Sequence, residues 1–337
     1  MEFKNYPVKP FVIRGEGNIE TILRDMEDLS FQARNLGLSF KIWKEMLRDK
    51  TFIFLGLAGA MVPAGMRKII SYLINNRLVD CLVCTGANLF HDFYESLGKK
   101  HYKTSPYMDD VRLKENGMDR IYDTLAPEED FRKADHFIKE FAESLDKKRS
   151  YTTREFIYLL GEYLTRRGSE EGILTSAYKK KIPVYCPAIG DSSIGIALAW
   201  GKVFLNFDLV RDVYETTYLA GKMEKTGVIY IGGGTPKNFI QQTQVTLSIM
   251  GEEREGHHYA IQIITDPPHW GGLSGCTLEE AQSWGKIAPD AKKVSLYCDA
   301  TIVLPLLVEG LAVALKGGLR RPFVPQFNMG ENIQFAN

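Results

Sequence analysis

The amino-acid sequence predicts an α/β fold, a doubly wound, mostly parallel sheet flanked by helices. Three observations predict it. Short apolar runs rich in β-branched residues recur along the chain. Each is followed by Gly or Asp and then by a stretch with helical spacing. The runs are apolar on both faces, as strands covered by helices on two sides must be. Alternation of this kind is the sequence form of βαβ units.

Taken in order, residues 1–45 read as helices flanking the sheet. The strands are expected at TFIFLGL (51–57), VDCLVCTG (79–86), IPVYCPAI (182–189), KVFLNF (202–207), GVIYIGG (227–233), YAIQII (259–264) and VSLYCDA (294–300). Residues 92–180 are polar and mostly helical in spacing, with charge clusters such as KKHYKTS and LDKKRS, and read as an insertion or outer layer. No repeat, low-complexity tract or Ser/Gly linker interrupts the chain, so residues 1–337 are expected to form one domain.

Composition narrows the function. The 337 residues hold 42 Lys+Arg against 42 Asp+Glu, a formal net charge of zero. A balanced chain lacks the excess that drives non-specific binding to nucleic acid or anionic membranes. The longest apolar stretch, Ile302 to Leu315, is interrupted by Pro305 and Glu309 and falls short of the roughly 20 residues of a spanning helix. The opening MEFKNYPVKPF has no apolar signal core, so nothing points to export. Five cysteines, Cys81, Cys84, Cys186, Cys276 and Cys298, are an odd count among apolar runs and read as reduced, buried thiols of a cytoplasmic protein. Cys81 and Cys84 form a CxxC, but inside LVDCLVCTG they read as strand residues, and no metal site is expected.

Four strand ends carry the chemistry. FLGLAGAMVPAG (54–65), CTGANLFHD (84–92), PAIGDSSIG (187–195) and IGGGTPKNF (231–239) place small residues where loop amides and helix N-termini converge. Together they argue for a dinucleotide. GxGxxG and GxxxxGK[ST] are both missing, so such a cofactor must be held without the usual loop. GxSxG and HExxH are missing too.

The most informative segment is WGGLSGCTLEEAQSWGKIAPDAKKVSLYCDAT (270–301). Thr277 with Glu280 fits a capping box, and Glu280 and Trp284 are spaced to share a helix face. Lys286 follows, between Gly285 and Ile287. A lysine in apolar, aromatic surroundings loses charge readily, and its neutral amine is the nucleophile that forms or exchanges imines. The competing interpretation is a snorkelling lysine at a helix end.

SWGKI followed by a strand ending in DA, and then by PLL, resembles deoxyhypusine synthase. The similarity runs through FQARNLGLSF (31–40), FLG, the CTG turn, RLKENGMDRI (112–121), IPVYCPAIGDSSIG, TGVIYIGGG and LPLLVEG. The resemblance implies a Rossmann-like, NAD-dependent aminobutyl transferase, a homotetramer with sites at dimer interfaces and an imine on Lys286. It implies NAD contacts from Thr85, Gly86, Asp191, Gly232, Gly233, Gly234, Thr265, Cys298 and Asp299. Glu280, Trp284, His91 and Asn238 would face the amine. The chain departs from the family at Ile196 and Leu273, where aspartates hold the polyamine's cationic ends. It departs again at Asn238 for a histidine, His91 for a glutamate and Trp270 for an acid on the NAD side. Fewer carboxylates weaken the hold on spermidine. The expected reaction is therefore aminoalkyl transfer to a small amine, of the homospermidine type. The alternatives are true deoxyhypusine synthesis on a translation-factor lysine and a non-catalytic NAD-binding regulatory paralogue.

Overall fold

Seven residues from Thr51 to Leu57, all buried, form the strand from which the sheet is built outward. Ile53, Leu55 and Leu57 point into one core with Phe40 and Trp43. Phe52 and Phe54 point into a second core with Tyr185, Tyr230 and Ile240. Period-two alternation with both faces apolar is the reason this segment is a central strand. Full burial of such a side chain contributes about 1.5–3 kcal/mol.

The computed structural model describes residues 7–252 and 254–336. Its main sheet has six strands: β1 (Thr51–Leu57), β2 (Cys81–Cys84), β3 (Val184–Tyr185), β4 (Lys225–Ile231), β5 (His257–Ile264) and β6 (Ile287–Tyr297). They lie in the order β6-β5-β4-β1-β2-β3, and every neighbouring pair is parallel. Helices Phe31–Arg48, Arg67–Asn75 and Ala300–Lys316 supply Trp43, Ile70 and Leu304 to the first core. Helices Leu209–Gly221 and Gly234–Ile249 supply Leu219 and Leu247 to the second.

Several expectations need correction. KVFLNF is not a strand of the main sheet. Only Asn206–Phe207 pairs, and its partner is Ser150–Tyr151 in a separate two-stranded sheet. Lys202 turns through φ 53° and Phe204 is exposed, so the run lacks the two covered faces of a core strand. β6 begins at Ile287, earlier than the VSLYC run, after a shift in register between His257 and Tyr259 on β5. At the N-terminus, residues 7–18 are not helical, and helix begins at Ile19–Asp25. Residues 1–6, which carry most of MEFKNYPVKPF, lie outside the described residues. The 92–180 region holds four helices, Asp110–Glu115, Glu128–Glu143, Thr153–Arg167 and Ile173–Lys180, and an antiparallel sheet of Tyr102–Lys103, Thr124–Pro127 and Met118–Ile121. Cys81 and Cys84 bound β2, and burial pushes both thiols well up from their ordinary range. Cys276 and Cys298 are only partly covered, unlike the other three. Among the described residues, no helix is long and apolar enough to cross a membrane.

Candidate functional site

Parallel strands release their following segments on one edge. Along that edge the chain steps outward from β1 to β2 and β3 on one side, and from β4 to β5 and β6 on the other. The reversal falls between β1 and β4. The helix after β1 packs on one face and the helix after β4 on the other, which opens a crevice at this point. Thr85 and Gly86 follow β2, Asp191 follows β3, Gly232 to Gly234 follow β4, Thr265 follows β5, and Cys298 and Asp299 follow β6. All nine residues therefore lie on one edge.

The edge is tightly laced. Ala58 N–H donates to Ile231 O at 2.9 Å, joining the turns after β1 and β4. Thr85 Oγ1 and Asn88 Nδ2 both donate to Gly59 O, at 3.0 and 2.8 Å. Gly232 and Gly234 take φ of 77° and 58°, which glycine adopts without steric cost. A side chain on Gly86 would stand 2.4 Å from the Ser192 side chain, and one on Gly233 only 2.5 Å from Ser274 Cα. Helices Gly86–Ser96, Ser193–Trp200 and Gly234–Ile249 start here with no side-chain cap and no acid in the first turn. Their first N–H groups therefore have no side-chain acceptor at the cap. Asp299 is different: Oδ1 accepts from Thr301 N–H at 2.7 Å and caps the next helix.

Lys286 approaches from the other side. It precedes β6, whose first residue Ile287 pairs with His257 at the amino end of β5. Its backbone is fixed by N–H to Ala281 O at 3.1 Å and by its carbonyl accepting from His257 N–H at 3.0 Å. The side chain is half-buried, and Nζ lies 3.4 Å from Asn238 Oδ1, in helix Gly234–Ile249. The same nitrogen stands 5.3 Å from the Trp284 ring centroid. Thr277 Oγ1 accepts from Glu280 N–H at 3.0 Å, one half of the capping box expected from the sequence. The helix it starts, Leu278–Gln282, ends before Trp284, so Glu280 and Trp284 do not share a helix face. Trp284 sits instead in the turn that leads to Lys286.

One expected amine contact, and one position where the family's carboxylate is missing, lie elsewhere. His91 is buried in helix Gly86–Ser96, with Nδ1 3.0 Å from His101 Nε2, and His101 Nδ1 lies 2.8 Å from Glu95 Oε1. Burial, with His101 beside it, lowers the His91 pKa to about 3. Ile196, 62% exposed, lines a cleft of about 350 Å³ with Arg132, Asp135, His136 and Trp200. Asp135 supplies the carboxylate there. Its Oδ1 is buried without a hydrogen-bond partner, and burial raises its pKa to about 6.

One residue of the site escaped the sequence. Lys237, one position before Asn238, is 0% exposed. Nζ donates to Gln262 Oε1 at 3.0 Å, to Cys276 O and to Ser274 O at 3.5 Å. Burial, with Lys286 nearby, lowers its pKa to about 8, against the opposing pull of Cys276 and Glu280. The signal available was a cation in the first turn of a helix, where the macrodipole disfavours it.

Fold and site together define a doubly wound, Rossmann-like protein with two neighbouring lysines, Lys237 and Lys286, on and against the helix that follows its glycine turn. The particular family is shown by comparison. The family model for deoxyhypusine synthase matches residues 21–311. "Probable deoxyhypusine synthase 2" of Methanosarcina acetivorans is 51% identical over 314 residues, 92% of this chain and 90% of that protein. Its namesake in Archaeoglobus fulgidus is 50% identical, over 90% of this chain and 99% of its own length. A "Deoxyhypusine synthase-like protein" of Chlorobaculum parvum is 37% identical over 90% of this chain and 89% of its own. This chain belongs to the deoxyhypusine synthase family, a family of transferases. A crystal structure from Entamoeba histolytica bearing the family's name shares the fold, with a TM-score of 0.62 at 21% identity over 94% of this chain and 99% of that one. The ternary complex of AgrE with ornithine and NAD+ shares it more distantly, with a TM-score of 0.54 at 13% identity over 86% of this chain and 34% of that one.

Proposed function

We propose that this protein is an NAD-dependent aminoalkyl transferase that carries its group as an imine on Lys286 and delivers it to a small amine. The observation that carries the reading is Lys286 itself, an amine placed against Trp284 and held by Asn238. NAD fits the strand order, the crevice between β1 and β4, and the three uncapped helix starts. Bound there, it would supply a hydride acceptor for the donor amine and a donor for the transferred group. Asn238 Oδ1 accepts an N–H of Lys286 and so orients the amine. Lys286 Nζ adds to the C=N carbon of the oxidised donor, the remaining diamine leaves, and the aminoalkyl imine stays on Lys286. The acceptor amine then exchanges for Lys286 in the same way. Glu280, at the helix start, provides a carboxylate for a distal ammonium.

A small acceptor is supported by the departures from the family. Ile196 and Leu273 are exposed apolar groups where carboxylates would hold a polycation. The Ile196 cleft keeps one carboxylate, Asp135. Shared sites in a homotetramer are supported by the approach of Lys286 from the edge opposite the glycine turn, and by exposed Trp200, Phe204, Val210 and Tyr214. Five free cysteines accord with a reducing, cytoplasmic setting. A second reading, transfer to a protein lysine, is favoured by the names its relatives carry. The test is to incubate the protein with NAD, a panel of di- and polyamines, and the candidate protein acceptor, then identify products by mass spectrometry. Borohydride added during turnover should trap an adduct on Lys286; an adduct elsewhere, or none with any amine, removes the imine mechanism.

A further inference from the structure

We propose that Lys237 is a positioning residue, whose buried ammonium seats the strap of residues 265–277 on the glycine turn. Its geometry is that of an ammonium. Three acceptors, Gln262 Oε1, Ser274 O and Cys276 O, match the three N–H donors of a protonated lysine, whereas a neutral amine has only two. Among the described residues no carboxylate pairs with it. Charge buried against neutral acceptors is costly, and the fold retains it at the point where the strap meets the sheet.

The strap leaves β5 at Ile264 and ends at Thr277, the cap of the helix that leads to Lys286. Trp270 and Leu273 are exposed upon it, at 77% and 44%. Its seat is confined to a few contacts. Gln262 Nε2 donates to Ser274 O at 2.9 Å and to Gly232 O at 3.2 Å, so the amide presents Oε1 to Lys237. Any side chain at Gly233 would meet Ser274 Cα. Lys237 adds the bond to Cys276 O, the last carbonyl before the cap. Through Gln262 and the Lys237 nitrogen together, the glycine turn and the segment that leads to Lys286 are held in register. The titratable groups that face it are Cys276 and Glu280 from the strap and the helix it caps, and Lys286 from the turn beyond. As pH rises through about 8, Nζ loses a proton and with it the third donor.

The seating of the strap stands apart from the transferase reading; its effect on transfer rests on that reading. The test is hydrogen exchange of 265–277 in the full-length protein, corrected for intrinsic rates, from pH 6.5 to 9.5. Wild type should lose protection across pH 8. Lys237→Ala should exchange at least about tenfold faster at pH 6.5, as expected of a locally opened segment, with the gap to wild type narrowing above pH 8. Propylammonium should restore protection to Lys237→Ala, and propanol should not. Equal protection in wild type and Lys237→Ala at pH 6.5, or rescue by the alcohol as well as the amine, overturns the proposal. If Lys237→Ala does not fold, a wild-type profile flat across pH 8 overturns it alone. Borohydride trapping on Lys286 is measured in parallel. A strap that opens as described while Lys286 never traps an adduct would sink the imine reading and leave the clamp standing.

Discussion

The two halves of the sheet treat buried charge in opposite ways. Around β1, β2 and β3, buried arginines meet carboxylates. Arg154 forms a two-point pair with Glu215, at 3.0 and 2.9 Å, and also donates to Gly330 O and Glu331 O. Arg321 holds Asp80 through two bonds of 2.8 Å, and Asp80 Oδ2 accepts Ile53 N–H from β1. Arg67 meets Asp92 at 2.8 Å, whose oxygens accept from Ile173 and Leu174 N–H. Around β4 and β5, Lys237 meets only neutral acceptors, and Lys286 meets an amide and an aromatic face. Matched pairs fix elements to one another, because removing either partner strands a charge in low dielectric. Lysines without a carboxylate partner are not locked into an ion pair, which leaves one to position a segment and the other to serve as a nucleophile. Stability is therefore expected to reside in the first half and chemistry in the second.

The sharpest way to break this division is Lys286→Arg. Guanidinium keeps the charge but does not deprotonate in this range. Transfer should fall by about four orders of magnitude, about 5 kcal/mol of barrier, while the melting temperature and calorimetric NAD binding stay as in wild type. Unchanged transfer would return Lys286 to the snorkelling role. Arg154→Met should do the reverse: Glu215 is left buried and unpaired, and chemical denaturation should show a loss of about 4 kcal/mol. A variant as stable as wild type would show that the pairs are not where the fold is secured.

Smaller effects sharpen the contrast. His257, buried in β5 beside Thr226 Oγ1 at 2.8 Å, has its pKa lowered by burial to about 3. The unfolded chain protonates histidine near 6.5. Between about 6.5 and 3 the unfolded state therefore binds more protons, and stability falls as pH falls. His257→Gln should remove about 2 kcal/mol of the difference between urea unfolding at pH 7 and at pH 4.5. Asp212, raised by burial to about 7 despite accepting from Thr153, has the opposite sign. Its contribution is present below about 4 and lost as pH climbs to about 7. The smallest effect is at Ile196. Ile196→Asp should improve kcat/KM for spermidine about tenfold by adding a charge-assisted hydrogen bond. No change would mean that the cleft with Asp135 does not hold the amine.

The fold was legible because β1, β4 and β5 are long, apolar on two faces and bounded by glycine or a polar turn. Lys202 to Phe207 misled for a local reason. The letters are those of a strand, but Phe204 faces solvent, and only two residues find a ladder partner. The glycine edge and Lys286 could be read as motifs. Lys237 could not, because its meaning lies in three acceptors from β5 and the 265–277 segment, brought together only by folding. His91 entered the site only through the family resemblance; its partner His101, from beyond the end of that helix, could not be read from the motif.

The junction between β1 and β4 also has a history in time. Thr51 pairs with Lys225, across more than half the chain. During synthesis β1, β2 and β3 leave the ribosome long before β4 exists, so one flank of β1 must wait with its amides and carbonyls unpaired. Such long-range parallel pairing closes slowly, and a waiting apolar edge invites association with other chains. The crevice that gathers the glycine turn is then assembled only after β4 has been made. Newly made protein should pass through an aggregation-prone stage that ends only when residues beyond β4 have been translated.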